Sequence, residues 1–158
     1  MTDFTTLIHC ENPSAFTLRG TNSFIIGRGS VKTLVDPGDF PEANQEFLAN
    51  LSSYLSANEN VKINRILITH GHRDHFGGLW DTIQLLKQTN RATDDLTAFK
   101  HLTEDNPLDE DTFERYPELP AKVQTITDGQ IFEVDSDLTL QAFFTPGHCI
   151  DHVSFLIA

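Results

Sequence analysis

Cysteine is scarce in this sequence: Cys10 and Cys149 are the only two among 158 residues. Two thiols cannot build a disulfide framework, so a reducing compartment is the expected setting. Positive charge is also scarce, with 11 Lys and Arg against 23 Asp and Glu and a formal net charge of −12. A surface of that sign repels phosphate backbones and lacks the usual footprint of a nucleic-acid binder. Long apolar runs are missing as well. Phe24-Ile25-Ile26 and Phe155-Leu156-Ile157 are far too short to span a bilayer, and no membrane contact is expected. The opening MTDFTTLIHC has no basic region and no long apolar core, and its first cation, Arg19, follows Asp3 and Glu11. It reads neither as a secretory signal nor as an Arg-rich transit peptide. What remains is 39% hydrophobic and 22% charged, with nine Gly and seven Pro. That mix, at this length, describes one globular domain.

The chain alternates strand and helix signals. Asn22 to Gly27 and Val31 to Val35, separated by Arg28-Gly29-Ser30, predict a hairpin, and Asp36-Pro37-Gly38 breaks the second strand. Phe47, Leu48, Leu51 and Leu55 recur at helical spacing within Glu42 to Ala57. Ile63 to Thr69 is rich in β-branched residues and predicts a strand. His70 to Gly78 predicts a polar loop, and Leu79, Ile83 and Leu86 mark a second helix. This order is α/β, with helices covering a sheet. Asp94 to Glu118 holds nine acids against Lys100 and Arg115 and predicts a solvated excursion, with a short strand near Ala98 to Leu102. Long loops often serve as lids, so a substrate-facing role is the alternative. Val123 to Ile126, Gln130 to Val134 and Leu138 to Thr145 predict three further strands, the last ending in the tight turn Thr145-Pro146-Gly147-His148. His152 to Ala158 predicts a buried strand. With nothing following it, the sequence reads as a truncated chain or fragment.

One run carries chemistry: Thr69-His70-Gly71-His72-Arg73-Asp74-His75-Phe76-Gly77-Gly78. Three imidazoles and a carboxylate fall within six positions directly after a strand. Residues at i and i+2 point apart on a helix, but on an extended or looped backbone they can converge on one ion. Asp74 and His75 follow where the chain turns into a helix and can face the same cavity from another side. Gly71, Gly77 and Gly78 leave room for close backbone approach. Neutral imidazole with carboxylate suits Zn²⁺ and its first-row neighbours. A closed structural zinc site would favour cysteine, and neither cysteine lies in this loop.

His70-x-His72-x-Asp74-His75 after a hydrophobic strand resembles the signature of the metallo-β-lactamase superfamily. Thr145-Pro146-Gly147-His148 resembles that family's next ligand motif, and Leu34-Val35-Asp36-Pro37-Gly38 its early strand-Asp-Gly element, whose Asp supports the ligands. Asn12 to Phe24, with Asp151-His152, is similar to the β-lactamase-like protein 2 subfamily. The resemblance implies the N-terminal portion of a four-layer αββα sandwich, with residues 1–158 forming one domain incomplete at its C-terminus. It implies two zinc ions in the complete fold, His70, His72 and His148 holding the first and Asp74 and His75 the second. The family's bridging Asp and final His lie in the part of the fold that follows Ala158, so one ion is expected here. Asp74 takes the catalytic role of orienting hydroxide. His72, where a di-iron flavoprotein has a carboxylate, speaks against redox-active iron.

The function implied is zinc-dependent hydrolysis, of single-stranded RNA as an endoribonuclease-type phosphodiesterase. The alternatives are a small thioester, as in polyketide-releasing or glyoxalase II-like thioesterases, or a non-catalytic zinc-binding fragment. An intracellular location, mitochondrial matrix or cytoplasm, accompanies it. Asp151 and His152 are expected to hydrogen-bond near the ligands, His9 and His101 to lie on the surface, and Cys149 to be a small packed residue.

Overall fold

The computed structural model describes residues 3–103 and 123–158. The first sheet has six strands in chain order: β1 (Thr5–His9), β2 (Asn22–Ile26), β3 (Val31–Val35), β4 (Lys62–Leu67), β5 (Ala92–Lys100) and β6 (Val123–Thr125). β1–β2 and β2–β3 pair antiparallel, and β3 through β6 run parallel. The second sheet is an antiparallel meander of β7 (Ile131–Asp135), β8 (Leu138–Phe144) and β9 (Val153–Ile157). A short 3-10 turn (Pro41–Ala43) leads into α1 (Gln45–Ala57). One helical turn, α2 (Arg73–Phe76), precedes α3 (Leu79–Gln88).

Strand alternation divides the core in two. Ile25, Leu34, Ile66 and Ile68 face the helices and pack on Phe47, Leu51 and Leu55 of α1 and Leu79, Ile83 and Leu86 of α3. Their neighbours Ile26, Val35 and Leu67 face the other way, onto Phe132, Leu138, Leu140, Ala142 and Val153 of the second sheet. β3 and β4 are covered on both faces, which is why Thr33-Leu34-Val35 and Ile66-Leu67-Ile68 are continuous rather than alternating. Helix, sheet and sheet are three successive layers of the expected αββα sandwich.

Several expectations need correction. β1 had no counterpart in the sequence reading; Thr5–His9 adds an antiparallel strand beside β2. The first helix begins at Gln45 rather than Glu42, because Pro41–Ala43 forms a 3-10 turn and the Asn44 side chain accepts the Asp39 backbone N–H. The acidic excursion begins later than Asp94, since the nine residues to Lys100 are strand. Ala92 pairs with Ile63 and Thr97 with Arg65, so β5 carries a wide bulge that leaves Asp94 and Asp95 exposed. The remainder of the excursion, 104–118, lies outside the described residues. The strand expected at His152 to Ala158 is present as β9, outermost in the second sheet among the described residues, where only Val153 is fully buried and Leu156 is 54% exposed.

Candidate metal centre

Both ligand motifs sit where strands of the two sheets end side by side. β4 delivers Thr69 and His70, and β8 delivers Thr145 to His148. The amide of Val153 donates to the carbonyl of Thr69 at 2.8 Å, joining the two sheets next to His70.

Three of the predicted ligands converge. Nδ1 of His72 lies 3.2 Å from Nε2 of His70 and 3.0 Å from Nε2 of His148. Ligand atoms of the three rings all lie within 4.8 Å of one another. Nitrogens bound tetrahedrally to one zinc at about 2.0 Å sit roughly 3.3 Å apart, so the set fits that ion. The hydrogen bonds also assign the protons. The Thr69 hydroxyl donates to Oδ2 of Asp36 at 2.8 Å, and Nδ1 of His70 lies 2.9 Å from the same hydroxyl. His70 Nδ1–H therefore donates to Thr69, and its Nε2 lone pair faces the cluster. Burial, and then the neighbouring imidazoles, hold the His70 imidazolium pKa down at about 3, so this ring is neutral and ready to bind metal.

Asp74 and His75 come to the same site but are occupied differently. Nδ1 of His75 lies 2.8 Å from Asp36 Oδ2, and Nε2 lies 3.2 Å from Asp74 Oδ2. Burial opposes charge on His75, but hydrogen bonds to Asp36 and Asp74 outweigh it and raise its pKa to about 10. The Asp74 carboxyl is lowered, chiefly by that hydrogen bond to His75. Without metal, His75 is an imidazolium between two carboxylates, and a metal ion there must displace its proton.

Asp36 organises this half of the site. Besides His75 and the Thr69 hydroxyl, its Oδ1 accepts the Thr69 amide at 2.8 Å. It adopts a positive φ of 57°, a conformation that Asp tolerates better than most residues and that the surrounding bonds hold in place. Gly78 is required by close approach: a Cβ there would collide with the carbonyl of Pro37 and the side chain of Asn44. Arg73 donates from Nε to Asp39 Oδ1 at 3.0 Å and lies over the Phe40 ring. Thr21 donates to the carbonyl of Asp74 at 3.1 Å, and Asn12 donates to Asp39 at 3.0 Å.

Sequence reasoning quoted Asn12, Thr21 and Thr69 within its motifs but gave them no supporting role, and it missed Asp39; each has a partner far along the chain. It placed Lys100 in the short strand expected near Ala98 to Leu102, as β5 bears out, but foresaw neither its burial nor its partner. Lys100 is 1% exposed and pairs with the fully buried Asp151 at 2.6 Å. The available signal was parity with Ala98, which shares its strand face. The expected hydrogen bonding of Asp151 is present in that pair, and Nδ1 of His152 lies 3.0 Å from the Thr145 hydroxyl. His9 is exposed as expected, whereas His101 is half-buried with its ring 3.8 Å from that of Phe144. Cys149 is half-exposed rather than packed, its Sγ 3.8 Å from Nε2 of His72.

A cavity of about 670 Å³ opens beside His72 and Asp74, between the 11–17 loop and the start of α1. Its wall carries Glu11, Asp39, Glu42, Glu46 and Asp74 against the cation Arg73, and apolar contact comes from Pro13, Phe16 and Ala43.

Two stacked sheets, helices on the outer face of one, and imidazoles gathered at the strand ends define a metal-binding α/β sandwich. The chain belongs to the metallo-beta-lactamase superfamily, whose family model matches residues 16–158. It is 36% identical over 149 residues to the lactamase-like protein ptaB of Pestalotiopsis fici, covering 93% of this chain and 39% of that protein. It is 35% identical to the beta-lactamase-like protein 2 homolog of Drosophila melanogaster, covering 90% and 44%. It is 33% identical to the atrochrysone carboxyl ACP thioesterase dmxR1 of Cryptosporiopsis sp., covering 93% and 38%. The chain thus spans about two fifths of the length of these curated relatives. Among solved structures, the subclass B3 metallo-beta-lactamase MEM-A1 from a soil metagenome library shares the fold with a TM-score of 0.65 at 24% identity, covering 99% of this chain and 56% of that one. No helix among the described residues is long and apolar enough to cross a membrane.

Proposed function

We propose that His70, His72 and His148 hold a zinc ion in a hydrolase that acts on acyl thioesters. The observation that carries the hydrolase reading is the convergence of three ring nitrogens on one point, with a carboxylate and a fourth imidazole beside it. Zinc bound there would supply a Lewis acid and make water acidic enough to yield a nucleophile at neutral pH. Asp74 is positioned to accept a proton and orient the attacking water, while Asp36 fixes the rings through Thr69 and His75. Asp74 and His75 would take a second, weaker ion, since binding there costs the His75 proton.

The cavity wall supports a thioester substrate. Five carboxylates against one guanidinium disfavour a polyanion, whereas a neutral acyl group can lie on Pro13, Phe16 and Ala43. The thioesterase named among the relatives agrees with this reading. Single-stranded RNA, the substrate first expected from sequence, is the second reading, favoured by the 35% identity to the beta-lactamase-like protein 2 homolog. An intracellular place of action, in cytoplasm or mitochondrial matrix, belongs with either.

The zinc-loaded protein, assayed on an aromatic acyl thioester and on a single-stranded RNA oligonucleotide, separates these readings. The expected result is chelator-sensitive thioester cleavage, reduced at least a hundredfold by Asp74→Asn. RNA cleavage without thioester cleavage would establish the second reading, and zinc binding without either activity a non-catalytic metal-binding chain.

A further inference from the structure

The metal centre takes ligands from two sheets, and His148 sits on the less supported side. Thr145, Pro146, Gly147, His148 and Ile150 are all exposed, and a Cβ on Gly147 would touch nothing within 4 Å. What anchors this loop to the first sheet is Asp151, three residues after His148. It is fully buried, and its Oδ2 accepts from Lys100 Nζ at 2.6 Å. Lys100 is the last residue of β5, two strands across from β3, and its Nζ also donates to the carbonyl of His101 at 3.3 Å. We propose that Lys100 and Asp151 are positioning residues: their buried ion pair clamps the 145–152 loop onto the first sheet and sets His148 against His70 and His72.

The energetics favour geometry over stability as the pair's contribution. Burying two charges costs several kcal/mol of hydration, and apolar side chains of similar volume often stabilise a fold as well or better. A hydrophobic plug in this place would fill space without a preferred direction. A short charge-assisted bond between fixed strand and loop allows one arrangement only. The clamped loop reaches both nitrogens of the His72 ring, because it carries His148, 3.0 Å from His72 Nδ1, and Cys149, whose Sγ lies 3.8 Å from His72 Nε2. Two other tethers flank the turn: the Val153 amide to the Thr69 carbonyl lies beyond Asp151 and holds β9, and the His101 ring lies 3.8 Å from that of Phe144, at the end of β8.

The inference concerns the metal-free arrangement, so it can fail separately from the hydrolase reading. The test pairs Lys100→Met with Asp151→Leu, which removes both charges and avoids leaving one buried alone. In the native metal-free protein the rings of His72 and His148, with centroids 4.7 Å apart, should give an NMR cross-peak between their protons. The double variant is expected to keep cooperative unfolding, lose that cross-peak and bind Zn²⁺ at least tenfold more weakly. A folded double variant with the cross-peak and zinc affinity both native would overturn the proposal. If the double variant does not fold, the unaltered protein decides. The Lys100 Nζ resonance, sheltered by burial, should shift during zinc titration in step with the His148 ring signals. A resonance unmoved at saturation would contradict the clamp. A native protein that binds no zinc but shows the cross-peak, lost in the variant, would remove the metal reading and leave the positioning role standing.

Discussion

The two ligand-bearing loops are built to different standards. The 69–78 loop is braced on every side. Asp36 binds the Thr69 amide, the Thr69 hydroxyl and His75, Thr21 holds the Asp74 carbonyl, Arg73 is tied to Asp39, and Gly78 packs against the Pro37 carbonyl. The 145–152 loop is exposed along most of its length and hangs on Asp151, with local bonds between Thr145 and His152. The first loop presents its rings already oriented, as the Thr69 contact to His70 shows. The second brings one ring across the gap between sheets. A metal held as proposed would therefore stabilise the second loop more than the first, since a pre-ordered loop has little left to gain.

The largest expected effect comes from opening the cradle on its weaker side. His148→Ala removes one imidazole of three, and its zinc dissociation constant should rise at least a hundredfold while the fold persists, because His148 is exposed. Isothermal titration with and without the substitution checks this, and native affinity in the variant would show that His148 is not a ligand. Asp36→Asn weakens the bracing of the first loop while leaving His70, His72 and His148 in place. Losing such an outer hydrogen-bond partner typically costs about 10- to 100-fold in metal affinity, so the same titration should show a smaller rise than for His148→Ala.

A third substitution probes the bracing without changing charge. Gly78→Ala places a methyl against the Pro37 carbonyl and Asn44 side chain, in a region with no space to yield. Overpacking of this kind costs about 1–3 kcal/mol, read as a lowered denaturant midpoint with unchanged slope. Gly147→Ala, on the open loop, should leave the midpoint unmoved, and equal effects at the two glycines would erase the contrast.

The metal-free protein also responds to pH, through two rings on the braced side of the site. The imidazolium pKa of His70, lowered to about 3 first by burial, means the unfolded chain takes up a proton below its ordinary 6.5 that the folded chain refuses. Stability should fall as pH drops from 6.5 toward 3. The pKa of His75 is raised to about 10: burial opposes this, and the carboxylates of Asp36 and Asp74 overcome it. Its contribution is complete below 6.5 and is lost as pH rises through about 10. Urea midpoints measured across that range should peak near neutrality. A midpoint rising or falling steadily would contradict one of these two assignments.

The braced loop was largely legible in the sequence, because its ligands lie within six positions and the strand before them is strongly β-branched. The turn at His148 was legible from its resemblance to a known motif. What supports them was not. Lys100 falls in the expected short strand, but nothing local shows that the face it shares with Ala98 buries it against a residue 51 positions away. Asn12 meets Asp39 across 27 positions, a contact that no local pattern marks. β9 was legible as an apolar strand, but which of its residues are covered, Val153 fully and Leu156 hardly, depends on the strands beside it. Periodicity reports which side a residue faces, and only the assembled sheets determine what covers that side.

Zinc stoichiometry tests the central claim most directly. The chain is saturated with Zn²⁺, dialysed extensively against metal-free buffer near neutral pH, and its metal and protein contents are measured together. Three converging imidazoles, beside a pair that must surrender a proton, predict close to one tightly held ion per chain. No retained zinc, or two ions held equally tightly, would contradict the account.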